Sequence, residues 1–116
     1  MPRFVVLRHD SPRGLHWDLM LEAGPVLKTW ALGGEPCRDA PITAQSLADH
    51  RPAYLDYEGP LSAQRGSVLR WDQGSYTVVR QNESEWVILA AGERIQGQVR
   101  LARLPDQPGG WQFVWS

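Results

Sequence analysis

Apolar residues in this chain come in short bursts, and the spacing within each burst predicts strands rather than helices. Phe4–Leu7 is a continuous apolar run of the kind found in a strand buried on both faces. From His16 the pattern turns to strict alternation. Trp17, Leu19 and Leu21 share one face, and His16, Asp18, Met20 and Glu22 share the other. "VLKTWAL" (26–32) follows after "AGP", a connection of hairpin length. "GGEPCRDAP" (33–41) reads as a loop, and "AYLDYEG" (53–59) as a short strand. "SVLRWD" and "SYTVVR", separated by "QG", read as a hairpin. "EWVILA" and "GQVRLARL" bracket a turn at "AGERIQ", and "WQFVWS" closes the chain. One stretch, "ITAQSLADH" (42–50), predicts a short helix with Thr43 as N-cap. Eleven glycines and nine prolines punctuate these segments at the close spacing of a sandwich or barrel. The expectation is a mainly β fold, a compact closed β-barrel of about eight short strands with one short helix.

Composition narrows this without redirecting it. At 116 residues, the expected organisation is one domain over 1–116. A domain of this size buries roughly two-thirds of its unfolded surface, and the six tryptophans are expected mostly in the core or barrel wall. Twelve basic against thirteen acidic residues give a net charge of −1, so any polyanion site must be local. Cys37 is alone, which excludes an internal disulfide and fits a reducing, cytoplasmic setting. The N-terminal apolar run is too short for a signal peptide or a membrane span. No Walker pattern or nucleophile elbow is present, so the residues support neither a nucleoside-triphosphate enzyme nor a serine hydrolase.

The chemistry concentrates in "HDSPRGLHWDLMLE" (9–22). His16 and Asp18 are two apart on a strand, so an imidazole and a carboxylate point the same way. His9 ends the preceding strand, and a loop with Ser11, Pro12 and Gly14 can fold it beside them. Two histidines and a carboxylate form a three-ligand set with open positions, suited to Mn²⁺, Zn²⁺ or Fe²⁺ catalysis rather than a closed structural site. A His-x-Asp pair on an exposed strand is also commonly just solvated. His50, at the end of the predicted helix, reads by itself as a histidine favoured by the helix dipole, and Tyr54 as a core-edge tyrosine.

The order of these segments resembles one family over essentially the whole chain, the 3′-phosphoesterase domain of bacterial DNA ligase D. Its pattern of Lys-His, then Leu-His-Tyr-Asp-Phe-Arg-Leu-Glu, then Leu-Lys-Ser-Trp-Ala is matched by Arg8-His9, Leu15–Glu22 and Leu27–Ala31. "DHRPAYLDYEG", "VLRWDQGSY", "AGERIQGQVRLARL" and "GGWQFVWS" match its later blocks in the same order. The resemblance implies a compact β-barrel with a Mn²⁺ site. It also implies removal of 3′-terminal phosphate or ribonucleotide remnants from a primer. His9, His16 and Asp18 take the metal-ligand positions, and His50 and Tyr54 the positions of residues that contact the scissile phosphate. Glu22 matches a motif glutamate. The implied partner is the 3′ end of DNA or of an RNA–DNA primer, with a separate ligase or polymerase as a further candidate and no membrane. A monomer is expected.

Departures from the family pattern remove cations. The arginine after the metal-binding aspartate is Met20 here, the lysine after the Ser-Trp-Ala strand falls near Gly34, and an arginine upstream of Asp-His falls near Ile42. The loop between His9 and His16 is one residue longer, and the segment before "WDQG" is shortened to "LSAQRGS". The chain is also expected to lack the N-terminal arm of the ligase-fused members. Arg8, Arg13 and Arg65 are candidates to replace the missing charge, with Arg13 favoured because its loop joins two ligands. Three functions follow as alternatives: a metal-dependent 3′-phosphoesterase, a metal-containing module that binds a nucleic-acid end or nucleotide without turnover, and a phosphoesterase for smaller substrates.

Overall fold

Alternation along the strands sorts side chains onto two sides of a closed wall. The computed structural model describes residues 1–116. Its strands are β1 (Arg3–Ser11), β2 (Gly14–Ala23), β3 (Val26–Leu32), β4 (Ile42–His50), β5 (Gly59–Pro60), β6 (Ser67–Gln81), β7 (Glu85–Gly92), β8 (Gln96–Arg103) and β9 (Gly110–Trp115). All pairings between strands are antiparallel, in the order β1-β2-β3-β4-β9-β8-β7-β6, and β6 returns to β1. Eight strands therefore close the ring, and the two-residue β5 is added to β6. The fold is the mainly β closed barrel that the sequence predicts.

Inside the ring lies the main core, with Phe4, Val6, Leu19, Leu21, Ile88, Leu101 and Phe113 among its members. Trp30 packs edge-on against Trp86 and Trp111, with centroids 6.0 and 5.6 Å away. Such contacts each add about 0.5–1.5 kcal/mol beyond the area buried. Trp115 also belongs to this core, and Trp17 and Trp71 pack on it half-buried. The alternation read in β2 holds, with Trp17, Leu19 and Leu21 turned inward. A second, smaller core sits outside the wall, formed by Val5, Leu7, Met20, Leu27 and Val68 under Leu55. This explains why Phe4–Leu7 is apolar without a break: both faces of β1 are covered.

Three local expectations are corrected. Residues 42–50 form strand β4 and not a helix, because β4 is needed between β3 and β9 to close the ring. Ring closure outweighs local propensity there, and Ala44 turns inward to the core. The only helical turn is a 3₁₀ turn at Pro52–Leu55, overlapping the start of the segment read as a strand. Pro52 favours it by fixing its own φ and needing no hydrogen-bond partner for a missing N–H. Residues 67–81 do not form a hairpin but one continuous strand. Gly74 is there for close approach rather than a turn, since a Cβ on it would meet the Ala91 carbonyl oxygen at 2.1 Å.

Asp72 ties this long strand to the β7–β8 turn. Buried in the wall, its Oδ1 accepts N–H bonds from Gln73, Glu93 and Arg94 at 2.9, 2.8 and 3.0 Å, and its Oδ2 accepts one from Ile95 at 2.8 Å. Removing it strands four donors, and a buried unsatisfied donor costs about 1–3 kcal/mol. Asp72→Ala should lower the unfolding free energy by about 3 kcal/mol or more in urea titrations. Asp72→Asn keeps Oδ1 and loses the acceptor at Ile95, so its loss should be smaller. An alanine variant as stable as the parent would refute this role.

Candidate metal centre

The register of the first hairpin builds the site. In the β1–β2 ladder His9 pairs directly with His16, and paired residues share a face. Asp18, two residues on from His16, joins them on the outside of the wall. The three ligand atoms lie within 4.8 Å of one another. His9 Nδ1 is 3.0 Å from Asp18 Oδ2, and the two imidazole centroids are 4.5 Å apart. His9 Nε2 donates to the Arg65 carbonyl at 2.8 Å, which leaves Nδ1 as the ring nitrogen that faces Asp18. A backbone carbonyl that fixes the tautomer of an imidazole in this way is the usual outer support of a metal-binding histidine.

The Arg65 carbonyl reaches His9 because the chain turns back tightly at Gly66. That residue has φ +90°, and a Cβ on it would lie 1.9 Å from the Asp10 carbonyl oxygen. Only glycine fits there, so Gly66 indirectly sets the orientation of His9.

His16 Nε2 is 3.0 Å from Asp18 Oδ1, but the contact lacks hydrogen-bond alignment, so this buried oxygen has no hydrogen-bond partner. The Asp18 carboxylate still raises the His16 pKa above its ordinary value, against the opposing effect of burial. A carboxylate that is 4% exposed, with an unpartnered oxygen and imidazole nitrogens on either side, fits a divalent cation in chemistry and placement. The group can hold a metal, with His9 Nδ1, His16 Nε2 and an Asp18 oxygen as donors.

His50 reaches the same face through a bulge. Thr29 pairs with Leu47 but Leu27 pairs with His50, so β4 carries one extra residue. In unshifted register Asp49 would occupy the place opposite Leu27. The bulge thus re-aims the histidine, as bulges beside active sites commonly do. His50 Nδ1 donates to the Ala48 carbonyl at 2.8 Å, leaving Nε2 free. His50 lines one shallow hollow of about 540 Å³ with His9, His16, Asp18, Arg13 and Arg65. It is not one of the three clustered ligands. Tyr54 stacks edge-on to His50, centroids 5.6 Å apart, and lines a smaller recess with His9, Asp18, Met20 and His50.

The other candidates separate clearly. Arg13 and Arg65 line the hollow. Arg8 does not, because it pairs with Trp17 and shares the face opposite to His9. Glu22 does not line it either, and its Oε1 accepts the Arg3 backbone N–H at 2.9 Å. Met20 is buried in the outer core beneath the site. A Cβ on Gly34 would lie 3.9 Å from Ile42 Cγ2, so these two cation-depleted positions are neighbours; Ile42 packs on the inner core, and neither residue lines the hollow. The Arg65 carbonyl, Gly66 and the bulge at His50 were not read from the sequence. "QRGS" offered a glycine as the one hint of a turn there.

Comparison with known proteins places this geometry. Residues 7–103 match the model of the DNA ligase D 3′-phosphoesterase domain. The multifunctional non-homologous end joining protein LigD of Pseudomonas aeruginosa is 33% identical across 97% of this chain. The multifunctional non-homologous end joining DNA repair protein LigD of Mycobacterium tuberculosis is 28% identical across 86%. The aligned regions are 15% and 14% of those proteins' lengths. With a barrel whose outer face gathers His9, His16 and Asp18, and a family match over most of its length, this chain belongs to the DNA ligase D 3′-phosphoesterase domain family.

Proposed function

We propose that this chain is a divalent-metal-dependent phosphoesterase that removes a 3′-phosphate or 3′-ribonucleotide from nucleic-acid ends during non-homologous end joining, with Mn²⁺ as the metal. The observation that carries this reading is the buried Asp18 carboxylate with an unpartnered oxygen between two imidazoles. Family membership and the DNA repair named for the mycobacterial relative support the substrate class.

His9, His16 and Asp18 hold the ion, and the Arg65 carbonyl keeps His9 in the ligating tautomer. When bound, the ion supplies Lewis-acid polarisation of a phosphoryl oxygen. The Ala48 carbonyl retains the Nδ1 proton of His50, so Nε2 is the atom that can protonate the departing oxygen as water adds to phosphorus. Protonated, it donates to a phosphoryl or leaving oxygen and stabilises charge that grows in the transition state. Tyr54 packs against this imidazole and faces the same recess, where its hydroxyl contacts the phosphate. Arg13 and Arg65 supply positive charge in place of that lost at Met20, Gly34 and Ile42. The apolar floor at Met20 limits water beneath the ligands and strengthens their field.

The family cations missing at Met20, Gly34 and Ile42 favour a second reading, a metal-containing module that binds a nucleic-acid end without turnover. Primers ending in 3′-phosphate or in one ribonucleotide, incubated with Mn²⁺, separate the two. Conversion that requires Mn²⁺ and is abolished by His9→Ala is expected; tight binding without conversion would establish the module instead. Asp18→Asn should weaken Mn²⁺ binding by at least about 100-fold in calorimetric titration. Arg13→Ala should lower kcat/KM by about 10–100-fold, the worth of one charged hydrogen bond to phosphate. An unchanged rate would remove Arg13 from the site.

Affinity for metal should also rise with pH. In the metal-free protein the protonated His16–Asp18 contact stabilises the fold fully below about pH 6.5 and is lost as pH rises through the raised His16 value. A metal needs the neutral imidazole, so its apparent affinity follows the opposite course. Mn²⁺ titrations across this range should show tightening with pH alongside falling stability of the metal-free protein. A pH-independent affinity would contradict His16 as a ligand.

A further inference from the structure

A second hollow, of about 240 Å³, adjoins the metal centre. Tyr54, Leu61 and Arg65 line both it and the recess beside His9 and Asp18, so these three side chains form a common wall. Beyond that wall the hollow is lined by Arg51 and Tyr57. Its charged lining residues are two arginines, with no carboxylate. The acidic residues nearest in sequence pair elsewhere: Asp49 with Lys28 at 3.3 Å, Asp56 with Arg3 at 2.8 Å and Glu58 with Arg70 at 3.7 Å. The Arg65 guanidinium bonds only to Ser62, and Arg51 makes no side-chain hydrogen bond or ion pair. In a chain of net charge −1, this is a local concentration of positive charge beside the phosphoester site.

Tyr57 adds an aromatic surface. Tyr57 as a whole is 36% exposed, and its ring sits edge-on to Tyr54, centroids 5.9 Å apart. Its hydroxyl donates to the Pro60 carbonyl, which fixes the ring in place. A held, half-exposed ring beside unpaired guanidiniums is the combination that binds single-stranded nucleic acid, stacking a base while cations follow the backbone. The hollow is below the usual size of a site for a drug-sized ligand, and so suits a single nucleotide unit.

We propose that Arg51 and Tyr57 form a subsite for the nucleotide on the 5′ side of the terminus being processed, and thereby select a polynucleotide strand over a mononucleotide. The subsite rests on the phosphoesterase reading for its orientation. Arg51 holds the phosphodiester of that nucleotide, and Tyr57 stacks its base. Neither residue touches the reacting phosphate.

The test uses the full chain with Mn²⁺, a 3′-phosphorylated single-stranded DNA and thymidine 3′-phosphate. Arg51→Ala and Tyr57→Ala should raise KM for the DNA about tenfold or more, with kcat and thymidine 3′-phosphate hydrolysis unchanged. Tyr57→Phe keeps the stacking ring but loses its tether to the Pro60 carbonyl, so its loss should be smaller than that of Tyr57→Ala. Fluorescence anisotropy with the same DNA gives a readout independent of turnover. There Arg51→Ala should make the dependence of log Kd on log salt shallower by about 0.7. Both exposed-site variants keeping the parent's KM and Kd for DNA would overturn the subsite, as would Tyr57→Phe losing as much as Tyr57→Ala. If the parent hydrolyses neither substrate, the phosphoesterase reading fails, and the anisotropy series still decides the subsite: weaker binding by both alanine variants supports it, equal binding ends it.

Discussion

The direct pairing of His9 with His16 across the first hairpin is the constraint on which the site depends. A strand has a side-chain period of two, so this one register brings both imidazoles and Asp18 to one face. A slip of one residue would turn the β2 ligands inward and the tryptophan and leucines out into water. The cost of exposing Trp17, Leu19 and Leu21 therefore locks His9, His16 and Asp18 in place. The main core does not touch the site's chemistry, yet it selects the geometry in which that chemistry is assembled.

The site stands on the outer wall of the barrel. Its support is the small outer core of Val5, Leu7, Met20 and Leu27, roofed by Leu55 of the 3₁₀ turn. Two layers thus divide the work. The inner core sets strand order and register, while the outer one gives Asp18 a dry base and anchors the segment that carries Tyr54 and Tyr57. The hydrogen bond from His9 to the Arg65 carbonyl links that segment's far end back to the ligands.

Where residues act through alternation, the sequence was readable. The β2 pattern, the doubly buried β1, the hairpin at "AGP" and the strands around "AGERIQ" all express a period that survives folding. The gathering of His9, His16 and Asp18 followed from that period and one short loop. What was not legible depends on distant partners. Residues 42–50 carry ambiguous local preferences, and their strand state comes from β3 and β9. "QG" at 73–74 looks like a turn until β7 is known to lie against Gly74. The bulge that turns His50 outward shows only as a register shift between two strands, and no single-strand pattern encodes it. The contact between Arg65 and His9 is made by a backbone atom, which residue identity does not reveal.

Ring closure also bears on how the ligands can move. β1 is hydrogen-bonded on one side to β2 and on the other to β6, with His9 opposite His16 in one ladder and Val68 in the other. Lifting this strand means unzipping two ladders at once, and the stave released has no alternative neighbour to pair with. Fraying of β1 is thereby resisted from both edges. The backbone under His9, His16 and Asp18 is thereby held from both edges, and the freedom left to these three groups is side-chain rotation toward the open face.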